Sequence, residues 1–403
     1  MTLPFNEIDF DTEGRVSTPI LLDCLIDECT WKRVTDLIFL AHGFRCSTDD
    51  KTNLYNSLLV NLSPDLVGQT GRKFGVSGIY WPSRKFPQAF GTPQSLHHTL
   101  AAFHSRGPTA IGHARSLLPT VVTSRSAQDR FVASVLSAFG NGEDGNDDPA
   151  EGLPLLREFR GSELLERLTP PASRNTDDGG IETIPIARPI LGGVAAFLNF
   201  MSWSAMKNLS GKVGANGLAD SVLAVRRRLP DIRIHLVGHS LGGRVMAACC
   251  QALGEDQTLK IDSLSLLEAA FSHFGFSPDA GWGEPGFFRD VIETQIVRGP
   301  IISTFSKQDT VLGKAYAVAS RLTHDSLRAI GNAADPYGGI GHNGAQQTPE
   351  STAGPLHRTG DPYRFQRGVV TCLDGSGGLI RSHGDVTNPH VTYAIASAMR
   401  DSV

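Results

Sequence analysis

Six short apolar runs, set apart by longer stretches of helical periodicity, constrain this chain of 403 residues more than any other feature. They occupy residues 36–41 (Asp-Leu-Ile-Phe-Leu-Ala), 74–81, 232–237, 263–267, 301–305 and 369–373. Apolar runs without polar alternation read as strands covered on both faces. Parallel pairing of such strands requires a long crossover between each two. The chain is therefore expected to be α/β, with a mostly parallel, doubly wound sheet. The crossovers are readable. Leu218, Val222, Val225 and Leu229 form one apolar stripe that Pro230 ends. Arg226, Arg227 and Arg228 fall in its last turn, where cations suit the helix dipole, and read as a solvated helix end rather than a partner patch. A second helix spans Leu241–Leu253 with Gly254 as its stop. A third opens at Asn388-Pro389, with Val391, Ala394, Ile395 and Met399 on one face.

Two regions break the rhythm. Residues 84–210 separate the second and third runs, where one helix would suffice, and are expected to form a mainly helical insertion, a cap or lid. The core would then consist of residues 1–83 and 211–403, with an irregular loop at 331–367. Within the insertion, Ala110–Phe139 reads as helical. The acidic stretches Asn141–Pro149 and Asn175–Gly180 read as surface loops; the first lacks the Gly and Glu positions of a calcium loop. Pro189–Met206 carries no charge but holds Gly192, Gly193, Asn199, Ser202 and Ser204, which suits a buried or cap helix better than a membrane span. Phe197, Phe200, Met201 and Trp203 either line a substrate tunnel or make the insertion's own core.

Composition excludes some functions. Lys and Arg number 37 against 41 Asp and Glu, a net charge of −4, so no nucleic-acid partner is expected. The six cysteines show no zinc-ribbon spacing, and adjacent Cys249 and Cys250 read as small apolar residues. No basic, apolar leader opens the chain, which makes the cytoplasm the expected location. Gly375-Ser376-Gly377-Gly378 follows a strand, but no Lys-Ser/Thr follows it, so a turn explains it better than a phosphate loop. No metal, nicotinamide or nucleotide cofactor is expected.

The chemistry concentrates in Gly238-His239-Ser240-Leu241-Gly242-Gly243, which directly follows an apolar strand and opens a helix. That is the context of a nucleophile elbow: a serine on a sharp, strained turn, with small flanking residues that let the strand and helix pass. The Leu241 N–H, at the helix start, can face a substrate oxygen. A second oxyanion donor is expected from Phe44 N–H, after His42-Gly43 at the end of the first run. His42 is expected to orient this loop rather than to titrate in catalysis. Gly43, Phe44 and His239 flank the serine and are expected to contact substrate.

With these residues the chain resembles the α/β-hydrolase superfamily, and the Gly-His-Ser-Leu-Gly-Gly form is similar to that of serine esterases and lipases. The resemblance implies the chain order nucleophile, acid, histidine. The acid is implied in the loop after a late strand, where Asp309 leads over Glu268 and Asp374. The histidine is implied after the final strand, at His383, ahead of His324, His342, His357 and His390. Gly384 would let that loop bend, and Asp385 would cap the turn or the helix start. Ser240, His383 and Asp309 would then act as an acyl-enzyme triad on a moderately apolar small-molecule ester. A lipase, thioesterase, amidase or acyltransferase could use the same triad. A non-catalytic binding protein of this fold is the reading from another class.

Overall fold

The structure, a computed structural model, describes residues 3–44, 46–84, 87–140, 156–169, 189–256, 259–280, 283–312 and 337–402. Eight strands make one sheet: β1 (Phe5–Asp9), β2 (Asp36–Ala41), β3 (Phe74–Tyr80), β4 (Arg233–His239), β5 (Ser263–Leu267), β6 (Ile301–Phe305), β7 (Ser351–Pro355) and β8 (Val370–Asp374). Their order is β1-β3-β2-β4-β5-β6-β8-β7, and every pair is parallel. β2, β3, β5 and β6 are buried along their whole length. This is why they read as continuous apolar runs.

Two strands go beyond the six expected. β1 mixes polar and apolar residues because it is an edge, paired only to β3 within the sheet. β7 lies inside 331–367, which was expected to be irregular. Ser-Thr-Ala-Gly-Pro has little strand character, but an outermost strand tolerates it, with Pro355 at the end of the run. The same region also folds the short helix Ile340–Asn343. The helix expected to begin near Leu218 starts at Ala219, preceded by a π-helical turn over Val213–Leu218. At its end Arg227 and Arg228 are exposed, as expected of a solvated helix end, while two of the three arginines also have partners. Arg226 donates to the carbonyls of Pro230, Ile232 and Lys260, and Arg228 pairs with Asp23 and Asp27.

Connectivity positions the site. From β2 the chain passes through helix Thr48–Val67 to β3 on one side. From β4 it passes through helix Leu241–Leu253 to β5 on the other. Crossovers of one hand that run in opposite directions lie on opposite faces, which opens a crevice between the carboxyl ends of β2 and β4. On one face, Tyr55, Leu58, Leu62 and Leu66 pack with Val391, Ala394 and Ile395 over Ile38, Val76 and Val237. The opposite end of β2 is locked by Asp36. Its buried carboxylate accepts from Arg233 at 2.7 and 2.8 Å, and also from Arg72, and it lies 3.1 Å from His235 Nε2. Burial alone would raise its pKa, but these partners hold it well below the carboxylate range.

The chain divides into two compact units. The first comprises Met1–Arg84, Lys207–Tyr316 and Gly331–Val403 and holds the sheet; the second is built mainly from Lys85–Met206. The second unit is helical and has its own core, in which Phe197 meets Phe131 edge-on at 6.4 Å and Phe103 meets Phe139 at 4.9 Å. Phe197, Phe200 and Met201 are buried, and Trp203 is partly so. The stretch expected to be helical from Ala110 to Phe139 is two helices, Pro108–Leu117 and Arg125–Ala138, parted at Pro119. Pro189–Arg228 is long and apolar enough to span a membrane by length and composition, but 67% of its most apolar window is buried in protein. Asn141–Pro149, Asn175–Gly180 and His324 lie outside the described residues.

Candidate active site

Ser240 stands between β4 and helix Leu241–Leu253 with φ 57° and ψ −126°. Non-glycine residues rarely adopt a positive φ, and one held there depends on its surroundings. Those surroundings are glycines. A Cβ on Gly238 would lie 2.2 Å from the Gly242 carbonyl oxygen, one on Gly242 2.2 Å from that of Ala41, and one on Gly243 2.5 Å from the Ala269 Cβ. At Gly238 and Gly242 the turn is thus closed by backbone against backbone. The Ser240 N–H donates to Leu267 O at 3.0 Å, and Ala270 N–H donates to Ser240 O at 3.0 Å, which ties the serine to the end of β5. Ser240 is 3% exposed. As the first residue of its helix, Leu241 has an N–H without an intrahelical acceptor.

Register brings the first loop to the serine. Ala41 pairs with Gly238, and two residues on a Gly43 Cβ would sit 2.8 Å from the Ser240 Cβ. Close approach to Ser240 is therefore what requires Gly43; its φ is not positive. Phe44 follows on the turn, partly buried. His42 is fully buried and stacks on Trp81 at 5.6 Å. Its Nδ1 lies 3.0 Å from Gly43 O, and Trp81 Nε1 donates to His42 O at 3.0 Å. Burial and the nearby Lys51 charge push its pKa down to about 3, so His42 is a neutral loop brace. Trp81 was not anticipated as part of this loop; its only signal was its place at the end of a strand run.

Asp309 and His383 meet. His383 Nδ1–H donates to Asp309 Oδ2 at 2.7 Å, which in the neutral imidazole leaves Nε2 as the acceptor nitrogen. Asp309 sits in the turn after β6, where its Oδ1 accepts the N–H groups of Val311 and Leu312. Burial alone would raise its pKa, but the His383 bond and charge and the Leu312 N–H outweigh that and hold the carboxyl below its ordinary value. The two loops are tied by Ser306 Oγ, which donates to Ile380 O at 2.9 Å. The His383 loop is in turn tied to the serine's neighbour: His239 Nε2–H donates to His383 O at 2.7 Å, and the two rings lie 4.7 Å apart. Burial and the His383 charge push the His239 pKa down to about 3.

The rivals separate on geometry. Asp374 accepts from Ser376 N–H and closes its own turn. His342 Nδ1 faces Asp309 O at 3.2 Å, behind the acid; His357 stacks on Tyr363 at 4.5 Å; His390 Nδ1 accepts from Thr359 N–H. Asp385 closes its turn by accepting from Arg381 N–H, while Asn388 caps the last helix. Gly384 has open space and no positive φ, so the His383 loop bends without needing its conformational freedom. Glu268 is different: it ends β5 with its Oε2 3.8 Å from His383 Nδ1.

Glu268, Asp309 and His383 place ligand-type atoms within 4.8 Å of one another. Two donors bound to one zinc ion in tetrahedral geometry would stand about 3.4 Å apart, from bonds of about 2.1 Å. His383 and Asp309, at 2.7 Å, are instead hydrogen-bonded to each other. No known protein family, no curated protein and no solved structure matches this chain.

Proposed function

We propose that the chain is a serine hydrolase of the α/β-hydrolase kind that cleaves carboxylic esters through an acyl-enzyme. One observation carries this reading. A serine is held at φ 57° at the carboxyl end of β4, and a histidine–carboxylate pair with a 2.7 Å bond is anchored to the residue beside it. A serine hydroxyl is a weak nucleophile and needs a base whose tautomer is fixed. Asp309 fixes that of His383, so Nε2 takes the Ser240 proton as Oγ attacks the acyl carbonyl. The Leu241 and Phe44 N–H groups receive the developing oxyanion. Each such donor is worth about 3 kcal/mol in a preorganised site, and the near-burial of Ser240 favours a term of that size. His383 then protonates the leaving alcohol, and water repeats the cycle on the ester of Ser240. Gly43, Phe44 and His239 border the reacting carbonyl.

Fluorophosphonate labelling and p-nitrophenyl ester turnover test the reading. Wild-type protein is expected to label at Ser240 and to hydrolyse short and medium acyl esters. Ser240→Ala is expected to abolish both while the melting temperature holds. Turnover that survives Ser240→Ala sinks the assignment.

A further inference from the structure

Glu268 is a buried carboxyl that this mechanism does not use. It is 0% exposed, neither oxygen receives a hydrogen bond from a protein donor, its side-chain hydrogen-bonding neighbour is Asp309, and its backbone is held at φ 43°. Its N–H is fixed by Thr304, through the carbonyl at 3.3 Å and Oγ1 at 3.1 Å. The chain at Gly341 presses on it so closely that a Cβ there would lie 2.6 Å from the Glu268 Cα. The side chain is therefore packed away from the surface, and its carboxyl faces Asp309 and His383.

The charges that act on it are those of Asp309 and Asp385, beside the His383 imidazole; His342 and His239 lie in the field of Asp309 rather than its own, and Lys307 acts on His342. Lys307 bonds Asn343, and no Lys or Arg pairs with Glu268 among the described residues. Asp309 is committed to the anion by its bond to His383. A second anion beside it in a dry site is costly unless it is protonated. Burial first, then the Asp309 charge, push the Glu268 pKa up to about 10.

We propose that Glu268 is a positioning residue: a neutral carboxylic acid that donates its proton as a hydrogen bond to Asp309, orienting that carboxylate and setting the basicity of His383. The role rests on the hydrolase reading above, in which Asp309 serves His383. A donor on Asp309 draws charge away from the His383 bond, which makes the imidazolium less favourable. An ionised Glu268 would do the reverse. A residue that only fills space would do neither.

The sign of one shift decides between these. His383 is titrated by NMR of its ring carbons in wild type, Glu268→Gln and Glu268→Leu, with melting curves to confirm folding. Glu268→Gln keeps a donor, and its His383 midpoint is expected within about 0.3 pH units of wild type. Glu268→Leu removes the donor, and the midpoint is expected to rise by about 1 pH unit, the scale of a hydrogen bond to a charged group. The acid limb of the ester kcat/KM profile should move with it. A midpoint that falls in both variants makes Glu268 an anion and overturns the proposal, as does a midpoint unmoved in Glu268→Leu. The hydrolase reading fails separately, by absent Ser240 labelling in wild type whatever His383 does.

Discussion

Asp309→Asn is the sharpest perturbation of this site, because it changes almost no volume and yet reverses a hydrogen bond. In the wild type the carboxylate accepts from Nδ1–H at 2.7 Å, so Nε2 is free to take a proton. An amide can present its NH2 instead, which draws the imidazole into the other tautomer and puts a proton on Nε2. The histidine can then no longer act as base. Two routes give the size of the loss. At an effective dielectric constant of about 20, unit charges at the 2.7 Å contact distance interact by about 6 kcal/mol, which is what the imidazolium would lose. The same tautomer reversal in a Ser-His-Asp enzyme costs roughly 10⁴ in kcat, or about 5.5 kcal/mol. The expected result is therefore a fall of about 10⁴ in kcat for a p-nitrophenyl ester, with a similar slowing of fluorophosphonate labelling. Glu268 would be the fallback in this reading, against its burial. Once the Asp309 charge is gone, it ionises more readily, 3.8 Å from the same nitrogen. The double variant with Glu268→Gln removes that fallback. If the double variant keeps more than a tenth of wild-type kcat and remains folded, the reasoning is wrong.

Two further outcomes follow from packing and burial. Gly242→Ala would place a Cβ 2.2 Å from the Ala41 carbonyl oxygen, backbone that cannot yield; a loss of about 3 kcal/mol in denaturant unfolding and of Ser240 labelling is expected, whereas Gly384→Ala, with nothing within 4 Å, should be silent. His42 and His239, with folded pKa values near 3 against 6.5, stay neutral in the fold while the unfolded chain takes up protons. Their contribution is whole above about pH 6.5 and declines as the pH falls toward 3, by about 1.4 kcal/mol per pH unit for each histidine. His239→Gln should flatten the urea-unfolding slope between pH 6 and 4.5 by about one proton, and an unchanged slope would count against it.

The interior of the fold was the legible part. β2, β5 and β6 have the bounds their apolar runs announce, because strands covered on both faces leave no room for polar residues. The elbow was legible for a related reason: backbone contacts at 2.2 Å admit only glycine. Asp309 and His383 were reached through chain order in the resemblance, and the structure brings them to 2.7 Å of each other. β7 escaped because an edge strand is chosen by its neighbour rather than by its own residues. Glu268 could be named only as a rival acid. What distinguishes it is burial by Gly341, 73 residues away in the chain, and no local pattern records that. The tie from Ser306 to Ile380 is likewise an ordinary hydroxyl in sequence.

The pairing of Ala41 with Gly238 spans 197 positions of chain, and the strained serine depends on it. Among the described strands it is the pairing of greatest sequence separation, and non-local parallel pairings form slowly. Until β2 lies against β4, Ser240 is held only from the β5 side, through Leu267 and Ala270, and by the close approach of Gly238 to Gly242; the Gly242 contact with Ala41 does not yet exist. On the hydrolase reading, competence to react would therefore wait for β2 to pair with β4. During refolding, probe reactivity at Ser240 would trail the appearance of helix, and a nascent chain would carry an inert serine until the polypeptide beyond β4 had emerged.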